Sequence, residues 1–116
     1  MTATDLENTN WKLASYFDGT ALHDLPSSAE VTLKFQDGAA GGKSACNRYH
    51  SEVKVGDGTL AFGMAVGTRM ACPPPLMEIE TAYLRTLENV VTWRISDGTL
   101  ELRDGAGKTL LVFARG

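Results

Sequence analysis

Five Asp-Gly pairs cut this chain into short pieces, and they restrict its fold more than any other feature. They stand at Asp18-Gly19, Asp37-Gly38, Asp57-Gly58, Asp97-Gly98 and Asp104-Gly105. Aspartate tolerates, and glycine supplies, the positive φ that tight hairpin turns require. Between the pairs lie runs rich in β-branched and aromatic residues. The first covers 11–17. In the second, Val31, Leu33 and Phe35 alternate with Thr32, Lys34 and Gln36, the period of two of a half-buried strand. Further runs cover about 46–55, 59–62, a short stretch near 66–71, then 90–95, 100–103 and 109–114. Eight short strands joined by tight turns predict an antiparallel barrel or a strongly curled sheet.

One segment breaks this rhythm. Pro73-Pro74-Pro75 ends what precedes it, because proline lacks the amide donor a ladder needs. Proline is also suited to open a helix, where the missing N–H is no loss. Beyond it, Leu76, Ile79, Tyr83, Leu87 and Val90 recur at helical spacing, with Leu84 alongside. Glu78 and Glu80 lie near the end where the macrodipole favours acids. The spacing predicts one helix over 75–89, packed on the concave side of the sheet.

At 116 residues the chain is one domain, and residues 1–9 are expected to be a flexible start. A domain of this size hides roughly 65% of the surface its unfolded chain exposes, enough for one modest core. The net charge is −3, with 11 basic residues scattered among 14 acids, so a nucleic-acid partner is excluded. No stretch approaches the ~20 apolar residues of a membrane span. A polar, acidic start lacks the marks of a signal peptide. The expected place is therefore the cytoplasm, unless a signal segment has been trimmed. A monomer is expected. The segment 53–60 (VKVGDGTL) echoes 93–100 (WRISDGTL), which reads as two hairpins solving one turn problem alike.

Two motifs go beyond generic patterning. Cys46-Asn47-Arg48-Tyr49 follows the Gly/Ala-rich stretch 38–42, and Thr68-Arg69-Met70-Ala71-Cys72-Pro73 leads into the helix. With Asn10-Trp11-Lys12-Leu13 in the first strand and a Leu-rich last strand, this arrangement resembles the META domain of HslJ-like bacterial heat-shock proteins over about 11–113. The resemblance implies a cracked antiparallel barrel with one helix, similar to pilot proteins of secretion systems. It also implies a cell-envelope, lipoprotein-like and stress-related setting without a settled biochemical activity. The sequence departs from the family at His50-Ser51, where a small residue and a glycine are usual. It departs again at Ser44-Ala45, where a glycine is common, and no lipoprotein cysteine stands near the start. The rim of the fold is expected to be braced by Asn47, Arg48, Tyr49, Thr68, Arg69 and Met70.

Several candidate sites follow from the residues themselves. Strand alternation would place Tyr49 and Val53 on one face and Cys46 and Arg48 on the other. If the third and fifth runs lie side by side, Cys46 and Cys72 come within disulfide range. Such a bridge closes a loop of about 26 residues and stabilises by roughly 3–4 kcal/mol. Buried thiols remain an open alternative, as does redox or metal chemistry. Arg48 and Arg69 either form a cationic spot for an anion or bond backbone carbonyls and Glu52, Glu78 or Glu80. Asn47 and Thr68 suit local backbone satisfaction.

His50 and Ser51 are neighbours in a strand and point apart, so they cannot act as base and nucleophile. The sequence carries no Gly-x-Ser-x-Gly elbow, phosphate loop or metal-spaced cluster, and no catalytic residue, cofactor or metal is assigned. Phe62, Met64, Met70, Met77, Tyr83 and Leu87 either line a pocket between helix and sheet or fill the core. The function expected is non-catalytic binding of a partner protein or an apolar, lipid-like ligand. The alternative is a small thiol-dependent redox or small-molecule enzyme using Cys46 or Cys72.

Overall fold

The computed structural model describes residues 6, 7, 9–68 and 70–115. Ten strands and one helix follow in the order β1 (Asn10–Phe17), β2 (Leu22–Asp24), β3 (Thr32–Gln36), β4 (Ala39–Lys43), β5 (Arg48–Val55), β6 (Leu60–Phe62), β7 (Val66–Gly67), α1 (Pro74–Leu87), β8 (Thr92–Ser96), β9 (Thr99–Arg103) and β10 (Thr109–Arg115). Eight strands run antiparallel in the order β6-β5-β4-β3-β1-β10-β9-β8, while β2 pairs with β1 and β7 with β5. The ends of this path nearly meet. Thr59 bridges Thr92, the Leu60 amide donates to Val91 O at 3.0 Å, and the Trp93 amide donates to Gly58 O at 3.1 Å. The result is a cracked barrel with a seam between β6 and β8. The echoing segments 53–60 and 93–100 are both hairpins, and they face each other across that seam.

The turns follow their chemistry in more than one way. Asp37 and Gly38, like Asp97 and Gly98, all have positive φ, so the β3–β4 and β8–β9 hairpins turn on two left-handed residues. Asp18 and Asp104 act through their side chains instead. Asp18 Oδ1 accepts from the Thr20 and Ala21 amides, and Asp104 Oδ1 from those of Ala106 and Lys108. Two strands were not expected. β4, AAGGK, contains no β-branched or aromatic residue, and β2 is exposed along its whole length. Both are held by backbone pairing with neighbours, not by an apolar pattern of their own.

The helix starts at Pro74 and ends at Leu87, one and two residues from the expected bounds. Pro73 occupies the cap position, and its carbonyl accepts from the Leu76 amide at 3.0 Å. Ile79, Tyr83 and Leu87 are buried, with Leu76 and Leu84 half-buried beside them. Tyr83 meets Tyr49 of β5 and Phe113 of β10 edge-on, at ring-centroid distances of 5.4 and 6.3 Å. One helical side chain thus touches opposite walls of the barrel, which places α1 over its interior. Around it pack Trp11, Leu33, Phe35, Leu100, Leu102 and Leu111, all fully buried. Leu110 and Leu111 are buried in succession because the β9–β10 register slips between Thr109 and Leu111.

The chain start is better anchored than its polarity suggests. Leu6 is fully buried, and Glu7 forms a parallel bridge with Phe35. Within the segment 1–9, an apolar side chain has thus found the core at Leu6. Among the described residues no helix is long and apolar enough to cross a membrane.

Candidate functional site

The two motif segments come together where β4 bends into β5. The bend is built by Ser44, whose amide donates to Asn47 O at 2.7 Å, and by Ala45, which takes φ 76° and donates to Glu30 O at 3.0 Å. A left-handed alanine costs about 1–2 kcal/mol. The family's usual glycine near this point would adopt that conformation freely. The bend also breaks strand alternation, so Cys46, Asn47 and Tyr49 are all buried while Arg48 is exposed. The expected opposition of Cys46 and Tyr49 across a strand fails because Cys46 precedes β5.

From this bend Asn47 reaches the helix and the connector together. Its side-chain amide donates to Glu80 Oε2 at 3.0 Å, and its backbone amide donates to Glu80 Oε1 at 3.0 Å. Its Oδ1 accepts from the Met70 amide at 2.7 Å and from the Thr68 hydroxyl at 3.0 Å. Ser44 Oγ adds a 2.7 Å bond to Glu80 Oε1. Thr68 is held again by Arg48, with Thr68 N donating to Arg48 O at 3.1 Å and Arg48 N to Thr68 Oγ1 at 3.2 Å. A buried network in which each member has partners fixes one geometry. Gly67 makes the close approach possible, since a Cβ there would sit 2.2 Å from Arg48 O.

Cys46 and Cys72 are joined as a disulfide with their Cα atoms 6.1 Å apart, within the usual range. This adds a covalent tie between bend and connector, and Met77 Sδ lies 3.6 Å from Cys46 Sγ. A thiol enzyme needs a free, reactive thiolate. Both cysteines are instead engaged with each other.

Tyr49 belongs to the core, not to a rim. Its hydroxyl donates to Thr32 O at 2.7 Å and is paired with the hydroxyl of Tyr83. Because the Tyr49 proton is committed to Thr32, Tyr83 is the donor in the second bond. Burial pushes both phenols well above the ordinary tyrosine value, and for Tyr83 the neighbouring Tyr49 adds to the rise. Such phenols stay protonated at neutral pH and serve as a structural pair.

Outside this network a groove of about 600 Å³ opens between α1 and the 64–71 segment. Glu80 and Asn47 line its floor, and Met64, Met70, Met77 and Leu84 line its sides. Met64 and Met70 are 81% and 61% exposed, whereas Glu80 is only 7% exposed. Arg48, Arg85 and Glu88 stand exposed at the edge. A smaller cavity of about 420 Å³ on the other flank of α1 includes Phe17, Asp18 and Thr86.

The expected lining therefore divides. Tyr83 and Leu87 are core, Phe62 packs against Phe35, and the three methionines gather outside. Buried core side chains occupy the barrel interior, and the groove lies at its edge. Arg48 is not paired with Glu80, whose contacts are to Ser44 and Asn47. Arg69 lies outside the described residues. His50 is exposed while Ser51 is buried and bonds Gly63 O at 3.0 Å, so the two point apart as alternation requires. His23 pairs with Asp18 at 2.7 Å in the exposed β1–β2 turn.

Glu80 and Ser44 are the members sequence reasoning missed. The signal for Glu80 was present, because helical spacing from Leu76 to Tyr83 sets it within the apolar stripe. An acid there is either turned aside or buried with partners, and here it is buried.

Fold and site together define a small cracked-barrel domain whose helix is tied to the β4–β5 bend beside an outer groove. The chain belongs to the META domain family, whose family model matches residues 4–116. Solved structures agree. A protein from Burkholderia xenovorans, determined by NMR, is 32% identical with a TM-score of 0.79, over 98% of this chain and 86% of that one. A second NMR structure, 22% identical with a TM-score of 0.72, is covered to 94% by 98% of this chain. A DUF4847 family protein from Bacteroides vulgatus, 13% identical with a TM-score of 0.66, covers 94% of this chain and is covered to 93%. The last two likenesses concern the fold alone. No curated protein matches the chain.

Proposed function

We propose that this META domain is a non-catalytic binding module of the bacterial cell envelope, acting in stress-related physiology, whose outer groove receives an apolar, lipid-like ligand. The observation that carries this reading is the placing of methionine. Three of the chain's four methionines line one groove, and two of them are mostly exposed. An exposed methionine forgoes about 1.5–3 kcal/mol of burial that the core would offer. Its flexible, polarizable side chain suits adaptable apolar binding. The groove's size falls within the range of small-ligand sites. The Cys46–Cys72 bridge supports an oxidising compartment, where disulfides persist.

Methionine ε-methyl NMR spectra during titration with 1-octanol test the binding reading. The expected result is saturable shifts of the Met64, Met70 and Met77 methyls. Unmoved methyls, or shifts that never saturate, overturn it. Fractionation of the native organism tests the compartment, where recovery of the chain with the cytosol would count against the envelope.

A further inference from the structure

We infer that the ligand is a cationic amphiphile, a primary alkylammonium whose head group docks on Glu80 and whose chain lies among the methionines. This inference rests on the groove reading above and adds a polarity to it. Glu80 is nine-tenths buried and lines the groove floor. Among the described residues its hydrogen-bond donors are all neutral: the Ser44 hydroxyl and the two amides of Asn47. The ion pairs among the described residues lie elsewhere, at His23–Asp18, Lys43–Glu30 and Arg103–Glu101. Glu80 is therefore a buried carboxylate without a cationic partner there. The two oxygens of a carboxylate offer about four acceptor positions. Oε1 takes the Ser44 hydroxyl, the Asn47 backbone amide and a longer 3.3 Å bond from the Asn47 side chain, while Oε2 accepts from that side chain alone at 3.0 Å.

An ammonium entering the groove would meet that open position in a low-dielectric setting, where a charge-assisted bond is strong. Lysine-like geometry is well suited, since an ammonium carries three donors and an apolar stem. Behind it, the thioethers of Met64, Met70 and Met77 offer soft apolar walls and weak acceptors. The exposed Arg48 and Arg85 at the edge are screened by solvent and balanced in part by exposed Glu88. The buried charge on the floor governs.

The test compares three eight-carbon probes on the intact chain: octylammonium, 1-octanol and octanoate, below their aggregation limits. Affinities are read from the methionine methyl shifts. Octylammonium is expected to bind roughly tenfold tighter than octanol, the scale of one charge-assisted hydrogen bond. Its α-methylene protons should show NOEs to the Asn47 side-chain amide, with its terminal methyl near Met64. In Glu80→Gln the ratio of octylammonium to octanol affinity should fall to about one.

Equal affinities for all three probes would leave the groove reading standing and overturn this one. Tighter octanoate would place recognition at the edge arginines and overturn it too. A preference that survives in Glu80→Gln would trace to the overall charge of −3, again overturning it. Should none of the probes bind, both readings fall. Should that variant not fold, the NOE orientation in the unaltered chain decides: an alkyl end on Asn47 refutes the proposal.

Discussion

Asn47 and Glu80, 33 positions apart in sequence, meet through a 3.0 Å bond from the side-chain amide of one to the carboxylate of the other. The backbone amide of Asn47 doubles the link at 3.0 Å. The same asparagine accepts from Met70 and Thr68, so helix, bend and connector share one buried joint.

Asn47→Ala deletes the acceptor for Met70 N and one donor to Glu80. A buried donor left unsatisfied costs about 1–3 kcal/mol, and a charged acceptor losing a partner costs more. The expected loss is about 2–4 kcal/mol in urea unfolding, with an unchanged slope. Asn47→Asp, which sets a second carboxylate against Glu80, should lose at least as much. A midpoint unmoved by either substitution would show that the joint contributes nothing to stability.

The Cys46–Cys72 bridge spans 26 residues. By its effect on the unfolded chain it should stabilise by about 3–4 kcal/mol. Thiol titration of the denatured, unreduced protein should find no free thiol, and a Cys46→Ser, Cys72→Ser double variant should melt at lower temperature. Two titratable thiols in protein kept oxidised would contradict the bridge.

The tyrosine pair predicts an order of effects. Tyr49→Phe strips Thr32 O of its donor and leaves the Tyr83 hydroxyl without an acceptor, for about 1–3 kcal/mol. Tyr83→Phe removes a donor only, and should cost about 0.5–1.5 kcal/mol through its hydrogen bond. The reverse order, measured by chemical unfolding, would mean the assigned direction of donation is wrong.

Alkaline pH should act on the same pair. Both phenols titrate higher folded than at their ordinary value of 10.0, so above that pH the unfolded chain releases protons first. Stability contributed by the neutral phenols is complete below pH 10.0 and declines as pH rises towards the folded values. Phenolate absorbance of these two residues should therefore appear together with loss of the far-ultraviolet β signal. Their ionisation in a chain still folded would break the link.

Gly67→Ala forces a methyl to within 2.2 Å of Arg48 O unless β7 moves. Displacing packed backbone costs about 1–3 kcal/mol. Amide exchange at Thr68 and Met70 should quicken more than exchange in β9 and β10. Uniform quickening would show that β7 and the connector are not a separate unit.

Much of this fold could be read before any coordinates. The stripe of Leu76, Ile79, Tyr83 and Leu87 announced the helix because only one face of it could be apolar. Asp37-Gly38 and Asp97-Gly98 announced hairpins because their turns demand positive φ. β4 escaped notice because Gly and Ala carry no strand pattern, although Gly41 and Gly42 are required where neighbouring backbones crowd. The β4–β5 bend was misread as strand because alternation holds only within a ladder, and Ala45 leaves it. Asn47 was recognised as a bonding residue, yet its partner Glu80 was not, since pairing across 33 residues depends on where the helix lands.

Since Cys46 and Cys72 are bonded, the polypeptide from β5 through β7 is a covalent ring, with the Gly56–Thr59 turn on its circumference. Cleavage of that turn by a protease would open the ring without parting the molecule. The two halves would travel as one species until a reductant released them, so damage at this hairpin need not cost the domain its other half.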